Sequence, residues 1–336
     1  MRRISSCLKA GCILALCLAA TGAAQKREKL AQTGLQFLSV ASDARAAALA
    51  DAVTSTENQS SSLFFNPAGM ANLSTLFDVT VSRNEWIADI QHTAVSLAVK
   101  PTGINLGVFG ISVQSVDYGD IIGTRVALPS DPQADIERGY VDTGNISPSA
   151  LALGFGWALA ISDRFSVGLQ AKKVWQSLGE SVTDDLSVTK NEVTPWAFDG
   201  GTLFKTGFKS LAFGMSVRNF SAEIEYAEEG FQLPLVFTMG LSMNLMDVIK
   251  LGDMKQSAIL AVDATHDRSH PEQLKIGVDY KLVDILSLRG GYVFNNDEDN
   301  VTFGFGVSQF GFALDYAYTP FGVFDNVQRV TARFAF

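Results

Sequence analysis

Cysteine, histidine and basic charge are scarce in this chain, and each shortage closes off a class of chemistry. Cys7, Cys12 and Cys17 all sit near the N-terminus. That stretch reads as a leader, so the mature chain carries no disulfide framework, thiolate nucleophile or cysteine metal site. Only three histidines occur, and His92 stands alone. His266 and His270 are four apart but flank Asp267 and Arg268 in a predicted loop, with no Glu to complete a zincin motif. Lys and Arg total 26 against 35 acids, for a net charge of −9. Loss of Arg2, Arg3 and Lys9 with the leader takes this to −12, which excludes the basic face that nucleic acid requires. After the leader, no apolar run reaches about 18 residues, so no transmembrane helix is expected. No Ser stands in a G-x-S-x-G setting. No catalytic residue, metal or cofactor is assigned.

The leader has three parts: Arg2, Arg3 and Lys9, an apolar run from Ala10 to Ala20, and small residues from Thr21 to Ala24. This is the layout of a secretory signal peptide, cut after Ala23 or Ala24. A lipoprotein reading is weaker, because Lys9 stands where the motif around Cys12 wants an aliphatic residue. Three regions follow: a leader 1–24, an N-terminal extension 25–74 and a strand-rich body 75–336.

The body alternates with a period of two. Val330, Ala332, Phe334 and Phe336 share one face, with Arg329, Thr331 and Arg333 on the other. Leu274, Ile276, Val278, Tyr280 and Leu282 oppose Lys275, Asp279 and Lys281. Phe77, Val79 and Val81 oppose Asp78; Phe312, Leu314, Tyr316 and Tyr318 oppose Asp315; Leu286 and Leu288 oppose Arg289. Charges of both signs on one face and apolar residues on the other fit a barrel with lipid outside and a polar lumen. A cation on the lipid face near the midplane costs about 2–4 kcal/mol. Lys173 breaks the pattern, marking a bulge or a position above the hydrocarbon. Fourteen strands are read: 75–83, 86–99, 104–116, 150–162, 165–179, 196–206, 211–220, 233–246, 257–267, 272–282, 285–295, 301–309, 311–320 and 327–336. The fold class is an all-β transmembrane antiparallel barrel, in the outer membrane of a Gram-negative-type bacterium. The terminal Phe334 and Phe336 mark its assembly end.

Long connections, 117–149, 180–195, 221–232 and 295–300, alternate with tight ones at 100–103, 162–164, 206–209 and 309–311. Short periplasmic turns and longer outer loops explain this, with 247–256 a longer inner turn. The acidic tips Asp184-Asp185 and Asp297-Glu298-Asp299 read as solvated loops. Asn295, Asp297 and Asp299 begin like a calcium loop, but Asn300 replaces the turn Gly and Gly306 the bidentate Glu. Trp86, at the first outer turn, reads as an interfacial anchor.

Residues 31–74 lack alternation. Ala44 to Ala52 is read as a short helix. In Asn66-Pro67-Ala68-Gly69-Met70, Pro67 fixes its own φ and biases Asn66 towards extended backbone. Gly69 permits positive φ, and the block reads as a rigid bend. Arg45 is placed to clamp an inward carboxylate such as Asp78 or Asp263. Phe37, Leu38, Phe64, Phe65 and Met70 either line an apolar ligand pocket or form the segment's own small core.

The stretches FLSVASDARAAALADA (37–52), SSLFFNPAGMANL (61–73) and EWIADI (85–90), with LSLRGGYVFNNDE (286–298) and the closing LDYAYTPFGVFDNVQRVTARFAF (314–336), carry a family resemblance. The chain resembles the PorV/PorQ family, itself similar to FadL-type long-chain fatty-acid transporters. The resemblance implies a fourteen-stranded outer-membrane barrel with an N-terminal hatch in the lumen, including Arg45 and Asn66 to Met70. It also implies a part in type IX protein secretion, with cargo proteins and secretion-channel components bound at the outer rim. The FadL branch implies passage of hydrophobic small molecules instead, and a passive porin is a third reading. Outer-membrane lipid and lipopolysaccharide are the expected surroundings. The loops 117–149 and 180–195, with acids Glu223, Glu225, Glu228 and Glu229, form the expected partner surface.

Overall fold

The computed structural model describes residues 33–56, 59–102, 106–182, 186–226, 230–249, 255–296, 300–322 and 326–336. The predicted leader, both acidic tips, Glu228 and Glu229 lie outside these. Fourteen antiparallel strands form a closed barrel: β1 (Phe77–Glu85), β2 (Gln91–Val99), β3 (Val108–Asp117), β4 (Ser149–Ala160), β5 (Phe165–Val182), β6 (Trp196–Lys205) and β7 (Ala212–Phe220). The second half is β8 (Val236–Asn244), β9 (Gln256–Asp267), β10 (Gln273–Leu282), β11 (Leu286–Phe294), β12 (Val301–Gln309), β13 (Phe312–Pro320) and β14 (Asn326–Ala335). Each strand pairs with its sequence neighbour, and β1 pairs with β14 from Asp78↔Ala335 to Glu85↔Gln328. Closure leaves no unpaired edge around the belt, which an apolar solvent demands.

The two faces follow the alternation. Leu288, Phe305, Tyr316 and Val330 are successive register neighbours across β11 to β14 and form an outward row; Leu288 is 53% exposed and Phe305 49%. Facing inward, Asp78, Asp263, Asp279, Asp315 and Arg329 are all buried. A soluble protein would reverse this arrangement, and only a hydrocarbon surrounding suits a continuous apolar belt. Among the described residues no helix is long and apolar enough to cross a membrane.

Lys173 faces outward without a bulge, since the β4–β5 and β5–β6 registers run through it unbroken. Its ammonium sits 5.3 Å from the Trp196 ring centre and donates to the Thr194 carbonyl, so the charge is carried by local partners. Two predicted loops hold strands. Residues Val188–Val193 pair with the upper end of β5, and Ile121–Val126 pairs with Tyr140–Ile146 in the β3–β4 connection.

A barrel of fourteen strands is too wide for its own side chains to fill, and the N-terminal segment occupies the space. It runs through a 3-10 turn (Gln36–Ser39), one helical turn (Ala44–Ala47) and two further 3-10 turns (Ser60–Phe64 and Pro67–Met70). The predicted helix to Ala52 stops early, because Ala50 and Asp51 adopt φ of 54° and 61°. Thr33 bridges Gln232 beyond β7, and Lys100 Nζ donates to the Leu73 carbonyl at the opposite end. The segment thus traverses the lumen lengthwise.

Candidate functional site

At the end bearing Trp86, Tyr118, His270 and Phe321, all in or beside the connections that follow odd-numbered strands, the lumen opens into a cavity of about 570 Å³. The N-terminal segment floors it with Leu35, Phe37, Val40, Ala47 and Ala50. The wall adds hydrogen-bonding groups beside the apolar ones. Tyr226 Oη donates to Gln176 Oε1 at 2.7 Å, and Gln176 Nε2 reaches Tyr118 Oη at 3.3 Å. Burial raises the Tyr118 hydroxyl pKa and, with Tyr118 nearby, pushes Tyr226 up to about 12. Both therefore remain hydroxyl donors at neutral pH. Arg218 Nη1 donates to the Phe64 carbonyl at 2.7 Å, and its guanidinium lies 5.8 Å from the Phe65 ring centre. Such a cavity can seat a small molecule with an apolar body and a polar group. Below it, the space beside Phe65 and Asn66 amounts to about 10 Å³, close to the volume of one water probe.

The floor is held by wall side chains. Arg45 Nε meets Asp279 Oδ2 at 3.3 Å, rather than Asp78 or Asp263. Those two carboxylates have other work: Asp78 pairs with Arg333 and accepts Ser60 N–H at 2.9 Å, while Asp263 accepts Thr54 N–H at 3.0 Å. Arg289 spans Asp279 at 3.2 Å and Asp315 at 2.5 Å. Asp43 caps the helical turn by accepting Arg45 N–H at 2.8 Å. Burial, then the charge of Asp315, holds the Asp43 carboxyl pKa above its ordinary value.

Asn66 fixes the bend. Its Nδ2 donates to the Thr54 carbonyl at 2.7 Å and to that of Thr202 on β6 at 3.0 Å, while Oδ1 accepts Ala68 N–H at 3.1 Å. Pro67 opens the following 3-10 turn from extended Asn66, whose φ is −148°. Gly69 is not among the residues of positive φ. Its value is clearance, since a Cβ there would lie 2.7 Å from Ser62 Oγ and 2.9 Å from the Thr56 carbonyl. Ala68 and Met70 are fully buried.

The candidate pocket residues do not converge. Phe37 and Leu38 pack with Val116, Val174 and Leu233; Phe65 and the partly buried Phe64 pack with Ala46, Leu49 and Val53; Met70 packs with Leu63 and Val108. The first and third groups lie between segment and wall, the second consists of the segment's own residues, and of the five only Phe37 lines the vestibule. Trp86, expected at the lipid interface, faces the vestibule instead. There it meets Phe321 edge-on at 5.2 Å, with the Arg329 guanidinium 5.4 Å from its ring centre; this cation–π contact gives it a partner that lipid would not. Phe334 and Phe336 are exposed where the barrel closes, their ring centres 3.9 Å apart. His266 pairs with Glu272 at 3.0 Å and His270 with Asp267 at 3.4 Å. Among the described residues no metal-holding group of three or more His, Cys, Asp or Glu occurs. The vestibule residues Arg218 and Tyr118 were not singled out from sequence. Arg218 carried one usable signal, an inward cation at the outer end of a strand.

No family model matches the chain, and no curated protein matches it. Solved structures do. The toluene transporter TodX of Pseudomonas putida superposes with a TM-score of 0.57 at 12% identity, over 87% of this chain and 97% of that one. The toluene transporter TbuX of Ralstonia pickettii gives 0.52 at 12% identity, over 86% and 97%. A FadL homologue of Pseudomonas aeruginosa gives 0.52 at 13% identity, over 88% and 98%. The chain is a FadL-like β-barrel in fold.

Proposed function

We propose that this chain is an outer-membrane transporter for small hydrophobic or amphipathic molecules, with the N-terminal segment as its hatch and no enzymatic role. The observation that carries this reading is the vestibule of about 570 Å³ closed below by that segment. A molecule entering from the outer side meets Phe37, Trp86 and Phe321, then a floor secured through Arg45 and Asn66. The FadL-like fold supports the same reading. Lipid and lipopolysaccharide surround the apolar belt. Titration of the detergent-solubilised protein with a fluorescent amphiphile tests the proposal. Saturable binding at one site per chain, lost in Trp86→Ala, is expected; binding that never saturates or ignores Trp86 would refute it.

A second reading is a PorV-type role in protein secretion, with cargo or channel proteins held at the rim. It is favoured by the hairpin above the barrel, where Ile122 and Val126 are 66% and 65% exposed. Deleting 120–145 should then abolish partner capture while the barrel still folds. Unchanged capture by that variant would discard this reading.

A further inference from the structure

Thirteen of the fourteen strand pairings join neighbours in sequence, and their connecting segments restrict register. The β1–β14 seam has no such connection. Its partners, such as Ser82 and Thr331, are far apart along the chain, so pairing them carries the largest loop-closure cost. A slip of one residue would turn Thr331 and Arg333 towards lipid and Val330 and Phe334 inward.

The polar contacts at this seam converge on the N-terminal segment. Asp78 on β1 pairs with Arg333 on β14, Nε to Oδ2 at 2.7 Å, and its other oxygen accepts Ser60 N–H at 2.9 Å. Thr331 Oγ1 on β14 donates to Ser82 Oγ on β1 at 2.8 Å, and the same Thr331 oxygen accepts Ala44 N–H at 2.8 Å. Ser60 Oγ lies 3.1 Å from Thr80 Oγ1 on β1. Both side-chain bridges across the seam are thus completed by a backbone N–H of the segment. Arg333 is partly exposed, but Asp78, Ser60, Ser82, Ala44 and Thr331 are buried, where an unmatched donor or acceptor is costly. In a slipped register, Ala44 N–H would lose its acceptor on β14 and Asp78 its Arg333 partner, while Ser60 N–H would stay on Asp78 of β1.

We infer that the N-terminal segment is an internal register gauge for barrel closure: it pins the first and last strands to each other, a role separate from any gating. The segment precedes β1 in the chain, so it can dock on β1 through Asp78 and Thr80 and then present Ala44 N–H as the acceptance test for β14. Only the native register places a hydroxyl there.

The test uses the full chain in lipid nanodiscs, read by hydrogen exchange with peptide resolution. Thr331→Val keeps the shape and removes both hydroxyl contacts; it should speed exchange of β1 and β14 amides about fivefold, the loss of one to two buried hydrogen bonds. Ser82→Ala, which spares Ala44, should have a smaller effect. On β12, Thr302→Val removes a comparable dock, to Ala50 N–H and the Ala48 carbonyl of the segment, and should leave the seam unchanged. Equal seam loosening by Thr331→Val and Thr302→Val, or none by either, would overturn the inference. A second readout covers impaired folding. With Cys7, Cys12 and Cys17 replaced by Ser, the pair Val81→Cys/Ala332→Cys reports the native register, and Val79→Cys/Ala335→Cys, one residue out of register, a slipped one. Adding Thr331→Val and Asp78→Asn during refolding should raise the slipped disulfide at the expense of the native one. An unchanged ratio would contradict the gauge.

Discussion

Arg45 of the N-terminal segment meets Asp279 of β10 through one carboxylate oxygen, at 3.3 Å, while the other faces Arg289 at 3.2 Å. The wall pair therefore does not depend on the segment. Arg45→Ala should loosen the floor and leave the barrel intact: faster exchange in residues 41–53, with a loss of about 1–3 kcal/mol confined to that segment. Arg289→Ala should act differently, because it takes the ion-pair partner from buried Asp315 and leaves Asp279 with Arg45 alone. Denaturant unfolding should show a global loss of about 3–5 kcal/mol.

The wall is moulded to the segment at glycines. A Cβ on Gly168 would lie 2.3 Å from the Ala68 backbone nitrogen, which cannot move alone, whereas one on Gly290 would meet nothing nearer than 3.8 Å. Gly168→Ala should destabilise by about 1–3 kcal/mol through overpacking, and Gly290→Ala should be close to neutral. Thermal unfolding of the two variants in one detergent compares them directly.

In the β3–β4 connection, Arg125 grips Asp131 through two 2.7 Å hydrogen bonds, and Leu128 N–H adds a third. Chiefly through the Arg125 hydrogen bond, the Asp131 pKa is lowered to about 2. A depressed carboxylate stabilises above its unfolded pKa of about 4, and that contribution is lost as pH falls through the folded value. Limited proteolysis of 121–146 should be unchanged from about pH 5 to 8, and Asp131→Asn should raise it throughout that range.

Trp86 is the tryptophan lining the vestibule. Its emission should change on ligand entry, and Trp86→Phe should abolish that change. Trp157, Trp175 and Trp196 lie outside the lining and should report little.

The outward face was readable at 274–282 and 312–318 because hydrocarbon makes one demand of every outward position. The connections were legible in length but less so in content, since Val188–Val193 is strand where alternation is weak. What the segment touches was not legible. Asp78, Asp263 and Asp279 are equivalent inward carboxylates in sequence, and only the depth at which Ala44–Ala47 sits selects Asp279 for Arg45. Trp86 carried a misleading signal: a rim tryptophan suits lipid, yet here the nearby Arg329 and Phe321 draw it inward. Phe37, Phe64 and Phe65 suggested one pocket because they share a short segment, but its turns set Phe37 against the wall and fold Phe64 and Phe65 into a cluster of the segment's own residues.

Native mass spectrometry of the barrel, purified gently from its own membrane and paired with lipid and protein identification, tests the transport reading most directly. The account predicts one small apolar or amphipathic molecule per chain, absent from Trp86→Ala. Recovery of secreted proteins bound to an otherwise empty barrel would contradict it and favour the protein-partner role of the outer hairpin.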